Sequence, residues 1–552
     1  MAEPQSAASP DPQRRPQPQD ALAAAAPARW PSAILPGGSE WTFEQLERYD
    51  HEISRVAHHC GLDTYPNQIE IIRAEQMMDA YASNGLPLGY SHWSFGKRFL
   101  VTEQHYKRGQ MGLAYEIVIN SNPCIAYLME ENTLAMQALV IAHASYGHNS
   151  FFKGNYLFRT WTQPDAIIDY LVFARRYIAD CEQRHGVPEV ERVLDACHAL
   201  ANLGVDRYKR PQKRSLAQEQ ARQKQRETQQ QEQVNQIWRT LPQRKLDGEP
   251  VPERPFPPEP QENVLYFVEK HAPMLESWQR EIVRIVRKLA QYFYPQRQTQ
   301  VMNEGWATFW HYTLTQTLYD EGVLPGSIML EILHSHTNVI AQPGFDAPNF
   351  NGINPYALGF AMYRDIRRIC ESPTAEDRRW FPDFAGSDWR ATLTFAMRNF
   401  KDESFIAQFL SPALIRSLRL FCITDDDRAA KLKVGAIHDD QGYHRVRDVL
   451  ARQYALAERE PDLQVTSVDV SGDRSLTLRH FRQARRPLAP DYKEVLHHLA
   501  VLWGFTVRLE VMNEAGAVES TDECRVVKRA GLRPSDPAAW SLTDAFMQRD
   551  ER

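Results

Sequence analysis

Met302-Asn-Glu-Gly-Trp-Ala-Thr-Phe-Trp-His311 is the stretch on which the class of fold turns. Trp306, Phe309 and Trp310, continued by Thr313 and Leu314, recur at the spacing of a helical face. Ile282, Val283, Val286 and Leu289 set the same period ahead of it, and residues 261–412 read as helical throughout. Glu304 and His311 stand seven apart, two helical turns, and so share one face. A carboxylate and an imidazole on an aromatic-rich helix are costly to bury alone. Their position therefore calls for partners, either a hydrogen-bonded network or a metal ion.

Working towards the N-terminus, residues 40–205 form the first part of this helical core. Trp41-Thr-Phe-Glu-Gln-Leu opens a helix, with Thr42 as its cap. Ile69, Ile72, Met77 and Tyr81 predict a helix over 66–83. Tyr115–Ile119 alternates as a strand and ends at an Asn/Pro turn, and helices are expected over 133–144 and 164–185. Residues 1–39, rich in Pro, Ala and Gln, read as a disordered leader without the basic start of a secretory signal.

Between the two helical parts, residues 206–260 are charged and Gln-rich and then Pro-rich. They read as a solvated helix followed by a stiff connector. Past Pro412 the texture changes. Strand-like runs at 418–423, 431–437, 463–470, 475–481 and 505–511 alternate with helical patterns at 443–457 and 491–502. Residues 413–512 thus read as an α+β domain and 513–552 as a polar tail. The expected class is α+β: a mainly helical N-terminal and central region with a smaller α+β C-terminal domain.

Composition narrows the function. The chain has 552 residues, 43% hydrophobic and 24% charged, with a formal net charge of −6, enough for about three domains and a large core. The balance advertises no nucleic-acid partner, and no apolar run of about 18 residues predicts a membrane span. Seven single cysteines without a CxxC pair read as reduced core residues of a cytoplasmic protein. There is no GxxxxGK[ST], no GxGxxG between strand and helix and no GxSxG. ATP hydrolysis, dinucleotide redox and α/β-hydrolase chemistry are therefore unsupported.

The sharpest chemical signal is Val140-Ile-Ala-His-Ala-Ser-Tyr-Gly-His-Asn-Ser-Phe-Phe152. His143 and His148 lie five apart. On an α-helix four apart leaves two side chains about 40° apart, whereas five apart opens roughly 140°. One face can hold both only through a π-bulge or an ended helix, and Gly147 eases either distortion. A zincin places its general-base Glu directly after the first His, but here that residue is Ala144. Glu304-Gly-Trp-Ala is also similar to the helix that supplies the third, carboxylate ligand in some zinc peptidases. Leu333-His-Ser-His-Thr adds His334 and His336, which point to opposite sides of a helix but to one side of an extended segment, where they could supply a ligand or hydrogen-bond a neighbouring loop. Glu75, His92, Glu116, Asn120, Asn122, Glu130 and Glu131 are polar residues in apolar settings, either surrounding a metal or forming a structural network.

Longer motifs carry a resemblance. Tyr65-Pro-Asn-Gln-Ile-Glu-Ile-Ile, His92-Trp-Ser-Phe-Gly-Lys, Tyr115–Asn132, His143–Phe152, Asn303–Tyr312, His334-Ser-His-Thr and Ile353–Phe360 resemble the SpoVR family, stage V sporulation protein R, from about Glu40 to Glu514. The resemblance implies a bacterial cytoplasmic protein acting in spore cortex (peptidoglycan) formation, or in stress and stationary-phase physiology where no spores are made. It also implies a functional association with a PrkA-type serine kinase and a YeaH-type protein, and it transfers no catalytic residues. Two alternatives stand beside it. One is a metal-dependent hydrolase with His143, His148 and Glu304 as ligands of zinc, iron or manganese, and His311 or His336 as a further ligand or acid/base. The other is an RNA-binding accessory protein using the charged connector and the C-terminal domain, a reading that rests on composition alone.

Overall fold

The computed structural model describes residues 34–82, 89–95, 97, 99–101, 116–208, 256–345, 347–348, 350–421, 423–424, 433–434, 438–481, 488–513 and 515–525. Most of the leader, most of the charged connector and the end of the chain lie outside the described residues. Helices dominate, with small mixed sheets, giving an α+β protein with a sheet-bearing C-terminal part.

Helix α1 (Phe43–His59) starts where a capping box closes. The Thr42 hydroxyl accepts from the Gln45 N–H at 3.2 Å, and the Gln45 side chain accepts from the Thr42 N–H at 2.8 Å. The helix expected over 66–83 divides: Asn67–Ile72 is strand β1 and only Ala74–Ala82 is helical. Ile69, Ile71 and Ile72 favour the extended backbone, and a partner strand supplies the hydrogen bonds. That partner is β3 (Cys124–Met129), parallel to β1. β2 (Glu116–Ile119) runs antiparallel along its other edge, with Glu116 opposite Leu128.

The chain then enters Leu134–Val140, capped by Thr133, and passes without a break into a π-helix over Ile141–His148 and an α-helix over Asn149–Gly154. This segment packs on α2 (Gln300–Asp320), a helix buried on most of its circumference. Glycines set how closely α2 is approached. A Cβ on Gly147 would lie 2.6 Å from Ala307 Cα. On the other side, α2 crosses α3 (Pro355–Glu371) so tightly that a Cβ on Gly359 would sit 2.1 Å from the Val301 carbonyl oxygen. Buried Asp402 caps α2, accepting from the Val301 and Met302 N–H groups at 2.8 Å each. The larger core gathers around α2 and includes Tyr443, Val446 and Leu450 from Asp440–Tyr454.

A second core joins the C-terminal sheet to Ile167–His185, Val187–Ala199, Val264–His271 and Ser277–Gln298. The sheet has the order β6-β7-β8-β9: β6 (Asp462–Val468), β7 (Leu476–Phe481), β8 (Val507–Met512) and β9 (Val518–Cys524). β7 and β8 are parallel, joined through the helix Tyr492–Trp503. β9 corrects the expectation of a loosely ordered tail beyond Ala515. Its residues are exposed or half-buried except Cys524, so as an edge strand it lacks the apolar alternation that betrays a strand. Expected strands 418–423 and 431–437 reduce, among the described residues, to the pair Ile423–Thr424 (β4) and Lys433–Val434 (β5).

Candidate metal centre

In a π-helix each turn holds more residues than in an α-helix, with hydrogen bonds spanning i to i+5. The Asn149 N–H accordingly reaches the Ala144 carbonyl. The wider turn carries His143 and His148 round to one face, their ring centroids 4.6 Å apart and nearly perpendicular. Their Nε2 atoms meet two carboxylates there. Glu116 Oε1 is 3.4 Å from His143 Nε2 and 3.9 Å from His148 Nε2, while Glu304 Oε2 is 3.8 and 3.5 Å from the same atoms. Four donors therefore converge from β2, the π-helix and α2. Glu116, His143 and His148 form a group able to hold a metal ion.

The donors fit a cation better than they fit one another. Their separations are long for hydrogen bonds, and buried Glu304 Oε2 accepts no well-formed hydrogen bond among the described residues. A tetrahedral site with bonds of about 2.0–2.1 Å has donor–donor edges of about 3.3–3.4 Å, and the four imidazole–carboxylate separations run from that value to about half an ångström above it. The far sides of the ligands are supported. His148 Nδ1 lies 2.9 Å from Asn303 Oδ1, which can only accept, so Nδ1 carries the proton and the Nε2 lone pair faces the site. Tyr356 hydrogen-bonds Glu304 and its ring stacks along His143. The cluster lines a cavity of about 740 Å³, whose apolar walls include Leu139, Phe152, Tyr292 and Phe293.

Charge divides the two carboxylates. Burial drives Glu116 well above the usual carboxylate range, and the neighbouring Glu304 adds to the rise. Glu304 is equally buried, but His148 and His143 outweigh that penalty and hold it below its usual value. Burial also pulls His143 down to about 4, so the ring is neutral near pH 7 and free to ligate.

His311 and His336, expected as possible ligands, stand elsewhere. His143 Nδ1 faces His311 Nδ1 at 2.9 Å, and His311 Nε2 faces His336 Nδ1 at 2.8 Å. Both nitrogens of His311 are thus occupied by imidazoles, and the pair forms a chain behind His143 instead of joining the ring. The two-turn spacing does align His311 with Glu304, but over two turns the helix carries the imidazole past the site to the next ring. His334 is exposed, on the opposite side of Gly326–Val339 from His336. Among the polar residues singled out, Glu75, Glu130 and Glu131 are exposed, and Asn120 holds Thr162 at 3.0 Å. His92 belongs to a separate group with Ser94 and Asp195. Glu116 alone enters the ring; its only signal is a carboxylate at the head of the apolar run Ile117-Val-Ile.

Fold and site together define an α+β protein whose main helical core encloses two imidazoles and two carboxylates able to hold a cation. The chain belongs to the SpoVR family: the model for SpoVR like protein matches residues 40–459, and that for the SpoVR-like C-terminal domain matches 461–514. It is 63% identical over 490 residues, covering 89% of this chain and 96% of the relative, to the "Uncharacterized protein YcgB" of Escherichia coli (strain K12). No solved structure matches the chain. Among the described residues no helix is long and apolar enough to cross a membrane.

The buried imidazoles make acid sensitivity predictable. Burial takes His336 to about 4, with Arg364 adding to the shift, and takes His311 well below its usual value. Unfolded histidines bind protons below about pH 6.5, while these folded rings do so only near 4 or lower. The unfolded chain therefore holds more protons in that window, and stability falls as pH drops from about 6.5 to 4. Glu116 and Asp402, the latter raised to about 7 by burial, act in the opposite sense, since the folded state keeps their protons. In chelator-treated protein, His336→Gln is expected to flatten this acid slope, by at most about 3 kcal/mol at pH 4. Urea denaturation at stepped pH measures it, and parallel slopes for parent and variant would contradict the assignment.

Proposed function

We propose that this chain is a metal-dependent hydrolase acting on peptide or amide bonds. The observation that carries the reading is the convergence of two imidazole Nε2 atoms and two carboxylates, at 3.4–3.9 Å, in the wall of a largely apolar cavity. His143, His148 and ionised Glu304 hold the cation, a donor set of nitrogen and oxygen suited to zinc, iron or manganese. A metal bound there would make an attacking water acidic and polarise a substrate carbonyl. Burial and the neighbouring Glu304 raise the affinity of Glu116 for a proton. In its ionised form Glu116 takes the proton from the attacking water at Oε1, a transfer that this affinity favours, and then gives that same proton to the leaving amine. It fills from β2 the role a zincin gives to the residue after its first histidine, which here is Ala144. Asn303 holds the His148 tautomer, Tyr356 steadies Glu304, and the apolar walls exclude bulk water.

The family resemblance supplies a setting for this chemistry: a cytoplasmic protein of cortex peptidoglycan formation or of stress and stationary-phase physiology, associated with a PrkA-type kinase and a YeaH-type protein. The RNA-binding alternative rests on the composition of the connector, whose central part lies outside the described residues, and of the C-terminal domain, and no observation favours it.

Metal content tests the proposal. Full-length protein reconstituted with zinc, iron(II) or manganese(II) and then desalted is expected to retain close to one equivalent of one metal. A His143→Ala variant with unchanged circular dichroism should retain almost none. Parent protein that stays metal-free after reconstitution would rule the site out.

A further inference from the structure

We infer that His311 and His336 are positioning residues, and that entry of a divalent cation reverses the direction of the hydrogen-bond chain they form with His143. The inference rests on the metal reading of the site. Its geometry is the run of short contacts His143 Nδ1···His311 Nδ1, 2.9 Å, and His311 Nε2···His336 Nδ1, 2.8 Å. Each contact needs one protonated and one bare nitrogen, and a neutral imidazole has one of each. The protonation of any single ring therefore dictates the other two.

Without a cation, His143 Nε2 lies 3.4 Å from Glu116 Oε1 and 3.8 Å from Glu304 Oε2, and the negative charge on Glu304 favours a proton on that nitrogen without a closed hydrogen bond. Nδ1 of His143 is then bare and accepts from His311 Nδ1–H, and the bare Nε2 of His311 accepts from His336 Nδ1–H. A cation claims the lone pair of His143 Nε2, so the single proton of that ring must sit on Nδ1. That proton now points at His311 Nδ1, which must become the acceptor. His311 then donates from Nε2 to His336 Nδ1, leaving the His336 proton on Nε2. The balance is one proton released at His143 Nε2 and one taken up at His336 Nε2, with all three rings neutral before and after.

The surroundings favour neutral rings throughout. His336 packs its ring against Tyr312 and Phe360, at centroid distances of 5.1 and 4.7 Å, and the Arg364 guanidinium lies over Phe360. An imidazolium at His336 between those groups would be desolvated and repelled by Arg364. His311 is held between the rings of His143 and His336. The chain thus anchors the metal-bound ring through its far nitrogen, the part an acidic residue or a carbonyl commonly plays behind a ligating histidine.

Full-length protein labelled with 15N-histidine, observed by long-range 15N–1H correlation before and after one equivalent of Zn2+, tests this. The expected result is that His311 carries its proton on Nδ1 in chelated protein and on Nε2 with zinc, and that His336 changes in the same sense. Resonances are assigned from His311→Asn and His336→Gln. Zinc uptake with no tautomer change overturns the inference and leaves the metal reading intact, whereas absence of uptake overturns both. Affinity gives a second readout: His336→Leu, which removes the acceptor, should weaken zinc about 10-fold or more. His336→Gln, whose carbonyl can still accept from His311 Nε2–H, should restore most of it. Equal affinity in parent, Leu and Gln variants would assign His336 to packing alone and overturn the inference.

Discussion

Glu116→Gln is expected to keep the metal and lose amide-bond cleavage by about 10²–10⁴-fold, while Glu304→Gln loses the metal itself. The two carboxylates lie at similar distances from the same pair of imidazoles, so proximity does not separate them. Their electrostatics do. Glu304 is held ionised by His148 and His143, as a ligand must be, and Glu116 is pushed upwards by burial and by Glu304, as a proton carrier requires. Glutamine keeps the shape of each side chain and removes its titration. The measurement pairs metal content by elemental analysis with amine release from a panel of peptide amides, parent against each variant. Loss of metal in Glu116→Gln, with retention in Glu304→Gln, would reverse the two roles.

Gly359→Val is expected to destabilise the protein by about 3 kcal/mol or more and to empty the site as well. The first atom beyond Cα at position 359 would fall 2.1 Å from the Val301 carbonyl oxygen and 2.7 Å from Gly305 Cα. These are backbone atoms of α2 and cannot swing aside as a side chain could. Overpacking a well-filled core commonly costs about 1–3 kcal/mol, and a backbone clash between two helices belongs at the top of that range. Because α2 carries Glu304 and is gripped on its other side by Gly147 against Ala307, separating α2 from α3 also moves Glu304 relative to His143 and His148. Gly37→Ala is the control, since a Cβ there meets only Ser327 Oγ at 3.7 Å. Denaturation midpoints measure the difference. A Gly359→Val protein as stable as the control would contradict the close crossing of α2 and α3.

Much of the fold is legible in the chain because its signals are local. The cap at Thr42, the helix carrying Trp306 and Trp310, and strands β6 to β8 follow from caps and from periods of 3.6 and 2 within short windows. Where the reading misses, the deciding contact is remote. Asn67–Ile72 has an apolar spacing that suits a helix and becomes a strand because β3, more than fifty residues later, offers an edge. β9 carries almost no apolar signal and exists because β8 pairs with it. The five-residue interval between His143 and His148 is intermediate. The sequence demands a distortion if both imidazoles are to act together, and the π-helix over 141–148 provides it.

What the sequence by itself determined is the α+β class, the helical setting of Glu304 and His311, and the stretch in which an irregular turn had to fall, since each depends on residues within a few turns of one another. The tertiary structure alone decided that Glu116 completes the ring and that His311 and His336 stand in line behind His143. Those roles depend on which nitrogen or oxygen meets which across separations of 25 to 168 residues, far beyond a turn or two of helix. Such choices are made by the packing of helices and strands on one another, and no local spacing encodes them.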